Sequence, residues 1–291
     1  MRVFRFVHAE KATHDVKAMC RMLGVSRSGY YVWRSRPPSA RAICDAELIE
    51  RIRLIHECSR RTYGAPRIWA DLREDGVFIG RKRVARLMRT GGIQGLCRRR
   101  RRRSKGARAL HPAGDLLRRE FRTALPNRVW AADITDFPTA EGPLHVAAVM
   151  DLFSRALVGW SMATHLRAEL VIDALEMAAA RRRPEPGLIH HSDQGPQYTS
   201  YVFGRHLRAA GILQSMGRTG TPADNAVIES FFDTMKLELL TGRRYRTREE
   251  AKAAIFEWIE VFYNRLRRHS TIGNVSPAEF ERRYAEQLVA V

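Results

Sequence analysis

The sequence predicts an α/β domain on a mixed sheet, preceded by an all-α basic region of helix-turn-helix type. Three observations carry that prediction. First, the whole net charge of +20 lies at one end: residues 1–125 hold 31 Lys and Arg against 11 Asp and Glu, and residues 126–291 hold 20 of each. Second, apolar periodicity is helical before residue 126 and turns to short strand-length runs after it. Third, those runs come as three strands, a helix, a strand, a helix, a strand and then helices, the order of an α/β layer. The expected partition is a DNA-binding region over 1–97, a basic linker over 98–125 and the α/β domain over 126–291. An apolar content of 45% in 291 residues is enough for a core and excludes whole-chain disorder.

Helices account for the first segment. Val16, Met19, Cys20 and Leu23 recur at helical spacing, and a second helix fits Arg27 to Arg34. Cys20 is small enough for close helix crossing, Gly24 suits the turn and Ser26 suits an N-cap, so the pair has the form of a helix-turn-helix. Its second helix would offer Arg27, Ser28, Tyr30 and Arg34 to a DNA groove. Two packed helices without a DNA role are the alternative. After a Pro37–Ser39 turn, a helix is expected from Ala40 to about Ser59, with Ile43, Leu48, Ile52 and Ile55 inward. Pro66 suits the first turn of a helix through Leu72, which Gly76 ends.

The next helix follows Gly80. Val84, Leu87 and Met88 form its apolar face, while Arg81, Lys82, Arg83, Arg86 and Arg89 crowd the others. Five cations without an anion repel one another unless a polyanion neutralises them, which points to phosphate contact over a merely solvated face. Arg98, Arg99, Arg100, Arg101, Arg102 and Arg103 then form an unbroken basic run. Such a run suits an arm on the DNA backbone, without base readout; a localisation signal is the alternative.

Several classes drop out. Cys20, Cys44, Cys58 and Cys97 have no Cys-x-x-Cys spacing, so they read as buried free thiols of a cytoplasmic protein. No apolar run approaches a membrane span, so no membrane partner is expected. No phosphate-binding Gly-x-x-x-x-Gly-Lys loop is present.

Strands are expected at Arg128–Ile134, Leu144–Met150, Ala156–Met162, Leu188–His191 and Ile212–Ser215, with a hairpin turn at Asp151–Arg155. Helices are expected over Glu169–Arg181, Tyr198–Ala210, Asn225–Leu240 and Arg248–Asn264. On this frame three acids attract attention. Asp133 falls inside the first strand, Asp193 follows the fourth, and Glu229 lies in the Asn225–Leu240 helix. Each alone is explained as a turn, cap or solvated residue. Together they are not, because an acid in an apolar strand is costly unless paired or metal-bound. Clustered carboxylates suit Mg²⁺ or Mn²⁺, and two such ions can activate a nucleophile at a phosphodiester. Lys236, seven residues after Glu229, projects from the same side of the helix. One of His190 and His191 is expected in the core, and Arg267, Arg268 and His269 form either a solvated basic end or a DNA contact.

These residues resemble the Asp-Asp-Glu transposases of bacterial insertion sequences, which share a ribonuclease H-like core with retroviral integrases. More narrowly, the chain is similar to the second-reading-frame product of the two-frame insertion-sequence family. The likeness covers nearly the whole chain and is strongest at Trp130–Thr135, Val149–Trp160, His190–Ser200, Asp224–Phe232 with Lys236, and Tyr263 through Pro277. The 35 residues between Asp193 and Glu229, with a basic residue seven later, are its most specific sign. The resemblance implies a ribonuclease H-like fold and a metal-binding catalytic triad of Asp133, Asp193 and Glu229, holding two Mg²⁺ or Mn²⁺ ions. It implies that Lys236 contacts the element's end near the cut. Its partners would be the terminal inverted repeats, target DNA and further copies of the chain, and the first reading frame's product joined by frameshifting. The chemistry implied is 3′-end cleavage and strand transfer. The residue before Asp224 is Ala223, where an aromatic is common in the family. A DNA-binding regulator with an inactive α/β domain and a ribonuclease H-type nuclease are the rival expectations.

Overall fold

The computed structural model describes residues 2–97, 114–117, 123–217 and 225–289. The arginine run Arg98–Arg103 and the Ala223 position lie outside the described residues.

The sheet is mixed and five-stranded, in the order β3-β2-β1-β4-β5. Its strands are β1 (Val129–Phe137), β2 (Leu144–Asp151), β3 (Leu157–Ala163), β4 (Ile189–Ser192) and β5 (Leu213–Met216). The first three pair antiparallel, while β4 runs parallel to β1 and β5 parallel to β4. Every residue of β2 is buried, because helices cover both faces. Leu144, Val146, Ala148 and Met150 join one core, and Ala147 and Val149 join the other.

The second core is closed by α7 (Ala168–Arg182) and α8 (Tyr201–Ala209). Gly159 of β3 permits the close approach of α7: a Cβ there would stand 2.1 Å from the Ala174 carbonyl oxygen. The first core holds α9 (Ala226–Leu240) and α10 (Arg248–Glu257). Ile228, Phe231, Phe232 and Met235 anchor α9 on the sheet, as their spacing predicts.

The helix expected over 248–264 is not uniformly α. It changes to a π-helix at Trp258–Tyr263, which the 3.6-residue pattern does not reveal. A last helix, α11 (Pro277–Val289), and a first one, α1 (Arg2–Glu10), were not expected from the apolar pattern. Each buries a single residue, Val7 in α1 and Pro277 in α11.

The basic region holds two helical groups. In the first, α2 (Val16–Met22) and α3 (Arg27–Ser35) form the expected pair. Ser26 Oγ accepts from Gly29 N, and Gly24 takes a left-handed φ of +63° in the turn. Tyr30 is a correction. It is fully buried against Phe4 and Trp33, with its hydroxyl 3.1 Å from His8 Nδ1, and is not offered to a groove. The second group is α4 (Ala40–Cys58), α5 (Ala65–Glu74) and α6 (Arg81–Thr90). Leu48 and Ile52 are buried as expected, but Ile43 is exposed, because α4 packs only through its later turns. Leu48, Ile52, Leu72 and Leu87 share one continuous core with Phe231, Trp258 and Phe262 of the α/β domain.

The cysteines also differ from expectation. Only Cys20 is buried; Cys44, Cys58 and Cys97 are exposed. No helix among the described residues is long and apolar enough to cross a membrane.

Candidate active site

The parallel pairing of β1 and β4 builds the site. Ala131 pairs with His191, so Asp133 and Asp193 each lie two residues beyond the same register pair. Neighbouring strands are about 4.8 Å apart, which makes the two carboxylates neighbours. Both line a cavity of about 580 Å³, with Asp136, Gln197, Tyr198 and Lys236 also on its wall. Asp133 Oδ1 accepts from Ile134 N at 2.8 Å, and Asp193 Oδ1 accepts from Gly195 N at 3.0 Å.

α9 brings the third acid. Asn225, just before its first turn, donates from Nδ2 to the Ala132 carbonyl at 3.1 Å, which ties the start of α9 to the strand carrying Asp133. Glu229 follows one turn later, and its charge acts on Asp133. Lys236 reaches the cavity two turns on.

The electrostatics are those of crowded acids. Burial, then the charges of Asp193 and Glu229, push the Asp133 carboxyl up to about 8, against the smaller opposing pull of the Ile134 N–H and Lys236. Burial lowers Lys236, while Asp136 and Asp133 act the other way. Behind the acids, Tyr198 is fully buried and its hydroxyl is pushed well above its ordinary value, by burial and by the two aspartates.

As placed, no three His, Cys, Asp or Glu among the described residues are arranged to hold a metal ion. The donors nevertheless fit one chemically. A buried carboxyl held protonated by two neighbouring acids is the environment a hard divalent cation relieves, and all three donors are carboxylate oxygens.

The comparisons bear on this geometry. An integrase core domain model matches residues 124–222, a second integrase core model matches 210–277, and an HTH-like domain model matches 44–101. The Escherichia coli K12 transposase InsF for insertion sequence IS3A is 38% identical over 95% of this chain and 97% of its own length. The chain belongs to the IS3-type insertion-sequence transposase family. An insertion element IS600 31 kDa protein of Shigella sonnei is 41% identical over 91% of this chain and 98% of its own. Among solved structures, a simian T-cell lymphotropic virus intasome chain aligns over 73% of this chain and 69% of its own, at 16% identity and TM-score 0.46. The HTLV-2 integrase catalytic core with magnesium aligns over 54% and 97%, at 18% and 0.41.

For this transposase the HTH-like match falls on α4–α6, not on the α2–α3 pair that the Gly24 turn singled out. The cations expected to meet phosphate divide into two sets. Arg83 and Arg86 both bind Asp45 of α4, at 2.8 and 2.7 Å, and Arg81 stacks on Trp69 at 4.3 Å. The anion thought missing from α6 is therefore supplied by α4. Lys82, Arg89, Arg27 and Ser28 are exposed; the Ser28 hydroxyl is 2.7 Å from Ser26 Oγ, and Arg27 lies over Tyr31.

The basic end at 267–269 is neither solvated nor free. Arg267 is buried and grips Glu238 through Nε and a terminal nitrogen, at 3.0 and 2.8 Å. Arg268 ion-pairs with Asp71 and Glu74 of α5, which fastens the HTH-like helices to the α/β domain. Both His190 and His191 are buried, where one was expected. Burial and the neighbouring His191 drive His190 down to about 3, so it stays neutral. Sequence reasoning missed Asp136, Gln197 and Tyr198. Asp136 pairs with His145 at 2.6 Å and carried a signal, as a second acid three residues beyond Asp133.

Proposed function

We propose that this transposase cuts the 3′ ends of an insertion sequence and joins them to target DNA. The observation that supports it best is the convergence of Asp133, Asp193 and Lys236 on one cavity, with the charge of Glu229 felt at Asp133. Asp133, Asp193 and Glu229 would hold two Mg²⁺ or Mn²⁺ ions, which when bound supply an activated water and charge neutralisation at the phosphodiester. Asp133 gives up its carboxyl proton before it can serve as a ligand. Lys236 holds the end strand by a phosphate and sets the scissile bond beside the acids. Water opens that bond and leaves a 3′-hydroxyl. The 3′-hydroxyl then attacks a target phosphodiester in line, so one bond forms as one breaks and the chain makes no covalent intermediate.

Residues 1–97 hold DNA in this reading, 98–125 link, and 126–291 carry the chemistry. Arg27, Ser28, Lys82 and Arg98–Arg103 remain candidate phosphate contacts; Arg81, Arg83 and Arg86 would have to leave their present partners. The working form is a multimer bridging two ends in the cytoplasm, with the first reading frame's product fused to it.

The test is strand transfer on labelled terminal-repeat DNA with Mg²⁺, comparing wild type and Glu229→Gln. Loss of product in the variant is expected. Equal product in both would overturn the reading.

A further inference from the structure

We infer that a second polar pocket, on another side of α9 from the acids, holds a backbone phosphate of the DNA strand; the inference rests on the reading that this chain acts on DNA. The pocket has a volume of about 320 Å³, and among the described residues no Asp or Glu lines it. Arg67, Arg155, and the pair Arg267 and His269 come to it from three separate segments of the chain, with Ser230 of α9 and Ser270 alongside. Neither the triad nor the HTH-like helices as a DNA reader account for this gathering.

The cations are held in place before any ligand arrives. Arg67 donates from Nε to the Arg268 carbonyl at 3.0 Å and lies over the Tyr63 ring, 5.4 Å from its centroid. Among the described residues, no carboxylate pairs with its terminal nitrogens. Arg155 sits in the β2–β3 turn at φ +64°, and the Tyr263 hydroxyl donates to its carbonyl at 3.1 Å. Arg267 is spent on Glu238, so Arg67 is the guanidinium the pocket can offer to an anion.

A separate observation points to a missing partner. His269 is half-buried at the wall, and its Nε2, itself buried, has no hydrogen-bond partner among the described residues. A buried ring nitrogen without a partner is costly, and a small ring shift would give it a phosphate oxygen. Burial, then Arg267, Arg67 and Arg155, hold His269 well below its ordinary value, which places all three guanidinium groups within electrostatic reach of this ring. The first residues of α9, Ala226 and Val227, also line the pocket, and the positive end of a helix favours an anion.

Ser230 and Lys236 are six residues apart on α9, about 9 Å along its axis, so one helix carries a wall of both pockets.

The test uses the full chain and a fluorescent DNA duplex of arbitrary sequence, without divalent metal, over a salt series. Arg67→Gln should lower the slope of log affinity against log salt by about one and weaken binding about fivefold. Ser230→Glu places a negative charge at the exposed rim without touching a buried group, and should weaken binding about tenfold. It decides the matter if Arg67→Gln fails to fold. Folded variants that keep the wild-type slope and affinity overturn the inference. So does protection of wild type, but not Arg67→Gln, by inorganic phosphate with DNA binding unchanged, which would make the pocket a free-anion site. Wild type that does not bind the duplex would overturn the DNA reading itself. Glu229→Gln that cuts normally, beside an altered slope in Arg67→Gln, would overturn only the triad.

Discussion

Asp133 and Asp193 stand at the same level of two neighbouring parallel strands, each two residues beyond the Ala131–His191 pair. Parallel pairing permits this because β1 and β4 run the same way, so residues equally far beyond one register pair stay level, Asp133 within β1 and Asp193 just past the end of β4. The fold thus places two like charges side by side, at a cost to its own stability. Asp193→Asn should therefore stabilise the metal-free protein at pH 8 while reducing strand transfer by about three orders of magnitude or more. Thermal melts and a transfer assay on one preparation check both halves. A less stable, fully active variant would contradict the argument.

The same pair sets a pH dependence. Asp133 titrates near 8 in the fold and near 3.8 when unfolded, so between those values the folded chain holds a proton that the unfolded chain lacks. The stability of metal-free protein should fall as pH rises through that window. A metal ligand must be deprotonated, so Mg²⁺ should bind more tightly as pH approaches 8 and reverse the fall. Melting temperature from pH 5 to 8.5, with Mg²⁺ and with EDTA, measures it. A drop of about 5 °C or more without metal is expected.

Much of the site was legible in the sequence because its parts are local. Strand runs and helix stripes fix which element carries each acid, and the five strands, α7 and α9 lie within a few residues of where periodicity puts them. What was not legible depends on partners distant in the chain. Arg267 and Arg268 read as a basic end because Glu238, Asp71 and Glu74 lie 29, 197 and 194 residues away. Tyr30 read as a groove residue because the Phe4 that covers it lies in a separate helix, α1, whose docking on α3 is a tertiary contact. The cations of α6 seemed unneutralised because Asp45 belongs to another helix. The π-helix leaves no pattern at all, since its extra residue per turn is paid for by tertiary packing of Trp258 and Phe262.

The Arg267–Glu238 pair should behave as a buried ion pair does. Trp258 Nε1 also donates to Glu238, at 3.0 Å, so the carboxylate is fully engaged. Arg267→Met leaves Glu238 charged in the core and should cost about 3–5 kcal/mol. Adding Glu238→Leu removes the stranded charge and should recover part of the loss, though not all, because Trp258 then lacks its acceptor. Urea unfolding of the single and double variants tests this. A double variant no better than Arg267→Met would mean that the pair acts through packing alone.

Asp45 offers a test of the α6 cations in the opposite sense. Its carboxylate takes up Arg83 and Arg86 together, and those guanidinium groups hold it below the usual carboxylate range. While they are so held, they have less to give a phosphate. Asp45→Asn keeps an acceptor for one arginine and removes the charge that binds both. Duplex affinity should rise several-fold, and the slope of log affinity against log salt should steepen by about one to two, as one or both arginines become free to displace counterions. Fluorescence anisotropy across a salt series reads both quantities. If α6 does not face DNA, the variant will match wild type at every salt concentration. If the Asp45 contacts instead hold α6 in its binding position, affinity will fall with the slope unchanged.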